Sequence, residues 1–181
     1  MSIPLQARSG AWQPALELLE PISLVRCCTS PLGRNLCMIV TETAVHVYVT
    51  SDESPNLSFE PVTSFFHGCR ATGASRSPST QHASTAWRIE ILVATETNEL
   101  RLLESVRQGS EASTSNKKLA DTHVRVSDLA WCASAGYESY AAAACADGTV
   151  RLWDLEGGCR THYLNSPVLS VAFHPKVPKL L

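Results

Sequence analysis

The stretch Ala146–Glu156, A-D-G-T-V-R-L-W-D-L-E, decides the fold of this chain. Within it, Asp147-Gly148 is a strong signal for a two-residue hairpin turn, because such a turn needs positive φ angles that Gly adopts freely and Asp tolerates. The residues after the turn, Thr149–Asp154, come close to the period-two alternation of a half-buried strand. Before the turn, Tyr140–Cys145 is small and apolar, as in a strand packed on both faces. We therefore predict a β-hairpin centred on the turn.

The second strand of this hairpin ends in Trp153-Asp154, and His123 stands about thirty residues before the tryptophan, a combination typical of a WD-repeat β-propeller blade. In this class of proteins a His, a Ser or Thr of the second strand, the turn Asp and the Trp form a hydrogen-bonded set. The resemblance implies these roles for His123, Asp147 and Trp153. Ala143 occupies the Ser/Thr position, so the set is incomplete and we expect a more loosely held blade. A buried His–Asp pair beneath a Trp usually fixes a turn, and we interpret the following residues as structural: His123, Asp147, Gly148, Trp153 and Asp154.

The composition indicates a soluble globular chain of about one domain, with 181 residues, 44% hydrophobic content and a net charge of −2. There is no basic cluster of the kind that binds nucleic acid directly. No apolar run approaches the roughly eighteen residues that a membrane span needs, and the N-terminus lacks a secretory signal. We predict no direct nucleic-acid binding and no membrane insertion.

The cysteines form an odd set of seven without any C-x-x-C pair. Zinc ribbons and redox motifs require such pairs, so we predict free thiols in a reducing compartment that behave mostly as small hydrophobes. We predict neither a metal site nor a cofactor. The cysteines are Cys27, Cys28, Cys37, Cys69, Cys132, Cys145 and Cys159.

Turn signals and short apolar runs divide the chain into repeated units of about four strands. The predicted units are an N-terminal extension at 1–20, blade one at 21–66, blade two at 67–122 with a Ser-rich insert and a polar loop, blade three at 123–164, and the start of a truncated blade four at 165–181. The polar loop is placed at Gln108–Lys118, between the third and fourth strands of blade two, because this stretch is low in complexity. Phe59–Phe66 is predicted to be an edge strand because it contains Pro61.

The predicted fold is thus all-β, an incomplete WD-repeat β-propeller of about three blades plus the start of a fourth. Tyr48, Leu103 and Trp153 recur at intervals of about fifty residues, so we predict equivalent positions for them in successive blades. A closed propeller needs roughly four to eight blades. We therefore expect this chain to be the N-terminal part of a longer protein or the product of a truncated gene model. We also expect it to be only marginally stable alone.

Three stretches in order carry a more specific resemblance: F-F-H-G-C-R from Phe65, W-D-L-E-G from Trp153, and H-Y-L-N-S-P-V-L-S-V-A-F-H-P from His162. Together they resemble the family of the small, thirty-seven-kilodalton WD-repeat nucleoporin of the Y-shaped outer-ring nuclear pore complex. The likeness is close from Phe65 to Pro175 and loose from Pro21 to Ser64. Departures from the family pattern are Leu103, Ala143 and the missing C-terminal half.

This resemblance implies a structural scaffold subunit of the nuclear pore complex that supports nucleocytoplasmic transport of mRNA and protein. Its implied partners are other Y-complex nucleoporins, chiefly the large solenoid subunit of the Y arm. The implied location is the nucleus and nuclear envelope, with kinetochores as a further location in mitosis. Partner-binding residues stay unknown, because interface residues of a propeller lie on loops that the repeat pattern does not constrain.

Other functional classes have weaker support in the sequence. Gly157-Gly158 is too short for a phosphate-binding loop, and the neighbourhood of Asp121, His123 and Ser127-Asp128 lacks the G-x-S-x-G motif of a hydrolase, so we do not predict an enzyme. The main alternative is a WD-repeat adaptor that presents substrates to a ubiquitin ligase or reads histone tails. Ligase adaptors carry an Asp-Arg pattern after the WD strand, whereas this chain has Glu156 two places after Asp154.

Overall fold

The computed structural model describes residues 16, 18–28, 35–51, 58–83, 85–174 and 177. These residues form three antiparallel sheets, and they include no helix long and apolar enough to cross a membrane. Each sheet is one blade of an incomplete β-propeller. The predicted N-terminal extension falls almost wholly outside the described residues.

The strands of each blade follow one another in space in the order of the sequence, apart from one short addition. Blade one contains β1 (Leu24–Cys28), β2 (Leu36–Val40), β3 (Ala44–Ser51) and β4 (Ser58–Phe66). Blade two contains β5 (Ala71–Arg76), β6 (Gln81–His82), β7 (Ala86–Thr95), β8 (Glu99–Gln108) and β9 (Glu111–Asp121). Blade three contains β10 (Val126–Trp131), β11 (Tyr140–Cys145), β12 (Thr149–Asp154) and β13 (Gly158–Tyr163). The short β6 pairs only with β7 and lies within the predicted Ser-rich insert.

Two hydrophobic cores lie between neighbouring blades. In the first, alternate residues of β2 and β3, such as Val45 and Val47, pack against Ile89 and Ile91 of β7. The second core joins the opposite face of blade two to blade three. Its buried members are Leu92, Ala94, Leu100, Val126, Leu129, Ala141, Ala143, Cys145 and Trp153. Each inner sheet face is therefore covered by the next blade, as layered β architectures require.

The Ala-rich strand β11 has neighbours on both faces, as predicted. Ala141, Ala142, Ala143 and Ala144 are all 0% exposed. Side chains of successive strand residues point to opposite faces, so small residues on both faces allow other chain segments to approach β11 closely. Ala143, which replaces the Ser or Thr of a consensus blade, lies within the second core.

The three predicted landmarks occupy equivalent positions, which confirms the repeat. When the short β6 is left out of the count, each lies on the third strand of its blade and pairs with the second strand. The pairs are Cys37 with Tyr48, Ile91 with Leu103 and Ala141 with Trp153. Leu103 faces blade one and Trp153 faces blade two. Tyr48 occupies the corresponding side of blade one, where Leu16 and Leu18 pack beside it.

The predicted polar loop at Gln108–Lys118 is wrong. Most of this stretch belongs to β9, which pairs with β8 from Glu99↔Asp121 to Gln108↔Glu111. Nearly all of its side chains are exposed because β9 is the outermost strand of blade two. An outermost strand needs backbone pairing but no apolar face, so its polar composition carried no strand signal.

The predicted edge strand in blade one is confirmed. β4 pairs with β3 alone, and the register shifts between Val47 and Tyr48, opposite Thr63 and Pro61. Because proline has no N–H to donate, it is tolerated in a sheet at an edge or a bulge. Pro61 lies on an edge strand and beside a bulge.

The central hairpin turn differs in detail from the prediction. It has three residues, 146–148, between β11 and β12 rather than two, and the N–H of Gly148 donates to the carbonyl of Cys145 at 3.2 Å. Gly148 has a φ of 82°, and Asp147 is not in the positive-φ region. This is the three-residue hairpin loop in which only the last residue is left-handed. Blade two repeats it, with Asn98 at φ 61°.

Candidate functional site

The turns between the second and third strands of the blades all lie beside the connections that lead to the next unit. In each case a turn carbonyl accepts a hydrogen bond at 2.7 to 2.9 Å from a connection N–H: His67 to Thr43, Thr122 to Asn98, and Leu164 to Gly148. We call this surface the turn face. It comprises residues 41–43, 96–98 and 146–148 with the connections 67–70, 122–125 and 164–167.

In blade three, Asp147 holds its own turn. Its Oδ1 accepts hydrogen bonds from the N–H of Thr149 at 3.0 Å and from the Thr149 hydroxyl at 2.7 Å. The hydroxyl bond is the main reason that the pKa of Asp147 lies below its usual range. Gly148 lies directly beneath the chain that leaves β13, since a Cβ at this position would meet the Leu164 carbonyl oxygen at 2.8 Å.

The structure does not bring His123 to this group, so its predicted role in the hydrogen-bonded set is wrong. His123 is exposed and adopts a φ of 57°. Instead Arg151 reaches across, because its Nη1 donates to the carbonyl of Thr122, and its Nη2 lies 3.9 Å from the Asp147 carboxylate. An arginine thus makes the polar contacts with the turn and with the preceding connection that were expected of the histidine. The arginine side chain is longer than that of histidine, and it extends from β12 to the backbone of the connection 122–125.

The remaining predicted structural residues have separate positions. Trp153 is 7% exposed within the second core. The Oδ1 of Asp154 accepts a hydrogen bond from the N–H of Glu156 at 3.2 Å and so supports the turn before β13. These two residues stabilise packing and a turn, respectively.

His67, which belongs to the stretch F-F-H-G-C-R, opens the connection from blade one to blade two. It is buried, and its Nδ1 lies 2.5 Å from the carbonyl oxygen of Cys69. Burial, which penalises the charged ring, lowers the pKa of His67. The neutral ring therefore secures this connection locally.

In blade two the turn face carries an ionic cluster. Glu99 bonds Arg101 at 2.7 Å and Lys118 at 3.1 Å, and Lys118 also bonds Asp121 at 2.6 Å. The cations, led by the hydrogen bond from Arg101, lower the pKa of Glu99. The cluster joins β8 to β9 and includes two charged residues of the outer strand, Lys118 and Asp121.

In blade one, the turn is held by Glu20, a residue that no sequence motif marks. Its carboxylate accepts hydrogen bonds from the N–H of Thr43 at 3.0 Å and from the Thr43 hydroxyl at 2.5 Å. These bonds, with the hydroxyl of Thr43 as the largest cause, lower the pKa of Glu20 to about 2. Glu20 therefore fastens the segment before β1 to the turn face.

We expect Glu20→Gln to destabilise the fold at neutral pH and to have progressively less effect in acid. A carboxylate with a lowered folded-state pKa stabilises the fold above its ordinary value of 4.5, and this contribution is lost as the pH falls towards about 2. The measurement is the urea midpoint by tryptophan fluorescence from pH 7 to pH 2. Glu42→Gln, an exposed carboxylate of the same turn, is the control. A wild-type advantage that stays constant across this pH range contradicts the prediction.

The first strands of the three blades meet at the centre of the arc, which we call the hub. Arg26 of β1 lies 3.3 Å from the Asp128 carboxylate of β10, so blade one contacts blade three directly. The same carboxylate accepts hydrogen bonds from the Ser170 hydroxyl at 2.8 Å and the Val171 N–H at 3.2 Å. The described residues of the predicted fourth unit form no strand, yet this carboxylate holds them at the hub.

We expect Asp128→Ala to lower the free energy of unfolding by about 1–3 kcal/mol, because hydrogen bonds to a charged group are worth about 1.5–3 kcal/mol and Arg26 is partly screened by solvent. The Asp128 side chain is 14% exposed. Asp121→Ala is the matched control, since Asp121 is 53% exposed in its ion pair with Lys118 and exposed ion pairs contribute little to stability. Chemical denaturation of both variants checks the prediction, and equal losses contradict it.

Large exposed apolar side chains lie where the outer strands approach the turn face. Phe66 at the end of β4 is 73% exposed, and Tyr163 at the end of β13 is 82% exposed. Leu164, the residue after Tyr163, is also exposed. Exposed apolar patches often mark binding surfaces, so these side chains are candidates for partner contact.

The described residues contain no group of three or more His, Cys, Asp or Glu side chains arranged to hold a metal ion. The cysteines whose side chains the structure describes are not joined in disulfides. The described site thus consists of hydrogen-bonded turns and exposed apolar strand ends.

No protein-family model matches the chain. Over 122 residues, which are 66% of the chain, the sequence is 30% identical to Nucleoporin Nup37 of Mus musculus. The match covers 36% of that protein, so the chain spans about a third of the length of this curated relative. The chain is thus similar to a nucleoporin, and its described residues form three blades of an incomplete β-propeller.

Proposed function

We propose that this protein is a structural scaffold subunit of the nuclear pore complex, within its Y-shaped outer-ring complex. The observation that carries the proposal is its 30% identity over 122 residues to Nucleoporin Nup37 of Mus musculus. In this role it supports nucleocytoplasmic transport of mRNA and protein. Its partners are other Y-complex nucleoporins, chiefly the large solenoid subunit, and its location is the nuclear envelope, with kinetochores in mitosis.

The architecture suits a scaffold because neighbouring blades are joined by buried cores and by bonded connections. Leu103 at 0% exposure and Trp153 at 7% fix the blades against one another. A rigid surface loses little conformational entropy when it binds a partner. The proposed role requires no catalytic group and no cofactor.

We place the partner contact at Phe66 and Tyr163, beside the turn face. Aromatic side chains are enriched at interfaces, and a few of them provide most of the binding energy. Both are largely exposed in the described chain, so replacing them removes contact area without opening a core.

The test is affinity capture of the tagged full chain from nuclear-envelope extract, with mass spectrometry of what it recovers. Recovery of Y-complex subunits by the wild type, lost in Phe66→Ser/Tyr163→Ser, supports both the proposal and the contact. Ala112→Ser on the exposed strand β9 is the control and should bind as the wild type does. Recovery of ubiquitin-ligase subunits or histones instead would reject the pore assignment in favour of the adaptor.

Localisation of a tagged copy in cells gives an independent result. A nuclear rim that disappears in Phe66→Ser/Tyr163→Ser and persists in Ala112→Ser is expected. A diffuse signal for the wild type counts against the proposal, whereas a rim that survives the double substitution rejects only the contact.

A further inference from the structure

Two thiols face each other across the first two strands of blade one. Cys27 and Cys37 are directly paired in the register of β1 and β2, and their sulfur atoms are 3.6 Å apart. Cys27 is exposed, whereas Cys37 is 2% exposed. This places one thiol in solvent with a second thiol directly behind it.

Both side chains belong to the face of blade one that is turned away from blade two. Cys37 and Tyr48 pack there with Leu16 and Leu18, while the alternate residues of β2 face the core between blades one and two. Oxidation at this face therefore does not have to open that core.

We propose that Cys27 and Cys37 are a modification site, which hydrogen peroxide converts to a reversible disulfide that links β1 to β2. Directly paired residues of an antiparallel sheet have Cα atoms about 4.5–5.5 Å apart, and disulfides occur at Cα separations of about 4.4–6.8 Å. The backbone register thus suits the bond, and side-chain rotation closes the sulfur atoms from 3.6 Å.

The chemistry proceeds in two steps. The Cys27 thiolate attacks one peroxide oxygen, the O–O bond breaks, and Cys27 becomes a sulfenic acid as the first water leaves. The Cys37 sulfur then attacks the sulfenic sulfur, forms the S–S bond, and releases the second water. Two thiols lose two electrons and two protons in total, and one peroxide is reduced to two waters.

The disulfide fixes β1, the strand that carries Arg26 to the hub. A crosslink that closes a short loop reduces the entropy of the unfolded chain. The oxidised protein should therefore unfold a few degrees higher than the reduced protein, in keeping with the usual relation between added stability and Tm.

The test uses the full chain, treated with hydrogen peroxide, alkylated and digested with trypsin without reduction. Cleavage after Arg26, Arg34 and Arg70 puts Cys27 and Cys28 on one peptide, 27–34, and Cys37 and Cys69 on the next, 35–70. We expect a crosslink between these peptides that dithiothreitol reverses. Its yield should fall at least tenfold in Cys27→Ser and in Cys37→Ser, and should stay within twofold in the matched controls Cys28→Ser and Cys69→Ser.

A crosslink that persists in Cys37→Ser, that disappears in Cys28→Ser, or that forms only after denaturation overturns the assignment. Because Cys27 is exposed, Cys27→Ser keeps the native fold and gives a decisive result even if Cys37→Ser is poorly folded. Fragment-ion spectra of the wild-type crosslink identify its two sulfur positions directly.

Discussion

Gly148→Ala is expected to lower the free energy of unfolding by about 2–6 kcal/mol. One part is the cost of holding a residue with a Cβ at a φ of +82°, about 1–3 kcal/mol. The other part is steric, since the new Cβ would lie 2.8 Å from the Leu164 carbonyl oxygen and 3.1 Å from that of Ser166. Relieving such overlap typically costs about 1–3 kcal/mol. Urea denaturation monitored by tryptophan fluorescence measures the loss.

Two other glycines separate these contributions. Gly109 has a φ of +62° with no atom within 4 Å of where a Cβ would lie, so Gly109→Ala should show only the conformational cost, about 1–3 kcal/mol. Gly157 has neither a positive φ nor a close neighbour, so Gly157→Ala should be nearly neutral. If Gly148→Ala costs no more than Gly109→Ala, the close approach of the connection to the turn is not rigid.

Leu103→Ala is expected to lower the free energy of unfolding by about 2–5 kcal/mol, the usual cost of removing a fully buried Leu side chain. Leu103 is 0% exposed and lies in the core between blades one and two. Leu103 occupies the position of the tryptophan in a consensus blade, and the core around it is closed to solvent. Thermal and urea unfolding of the variant measure the effect.

The matched control is Leu169→Ala, the same substitution at a side chain that is 79% exposed. It should change the free energy of unfolding by no more than about 0.5 kcal/mol. Similar losses at both positions would mean that the first core does not hold the two blades together.

The sequence predicted the elements whose information is local. Asp147-Gly148 marked the central turn, and the run Ala141–Ala144 marked a strand covered on both faces, because both signals depend on neighbouring residues. The recurrence of Trp153 and Leu103 then identified the repeat. The strand β9 was missed because an outermost strand has no buried face to impose alternation.

The contacts of the candidate site were harder to predict because they join distant parts of the chain. Arg26 and Asp128 are 102 positions apart, and Glu20 meets Thr43 from outside the repeat. His123 had the expected spacing, but Arg151 makes the expected contact instead, with the carbonyl of the neighbouring Thr122. Spacing identifies a position along a repeat, whereas the direction of a long polar side chain depends on tertiary packing.

The location of the two cores also determines how local stability is distributed. Among the described sheets, blade two shares a core with a neighbouring blade on each of its faces, whereas blades one and three each share such a core with one neighbouring blade. In repeat architectures, stability is approximately the sum of each repeat's own terms and those of its contacts with nearest neighbours. Subglobal opening should therefore begin at the two outer sheets, with the backbone amides of β7 and β8 the last to exchange with solvent.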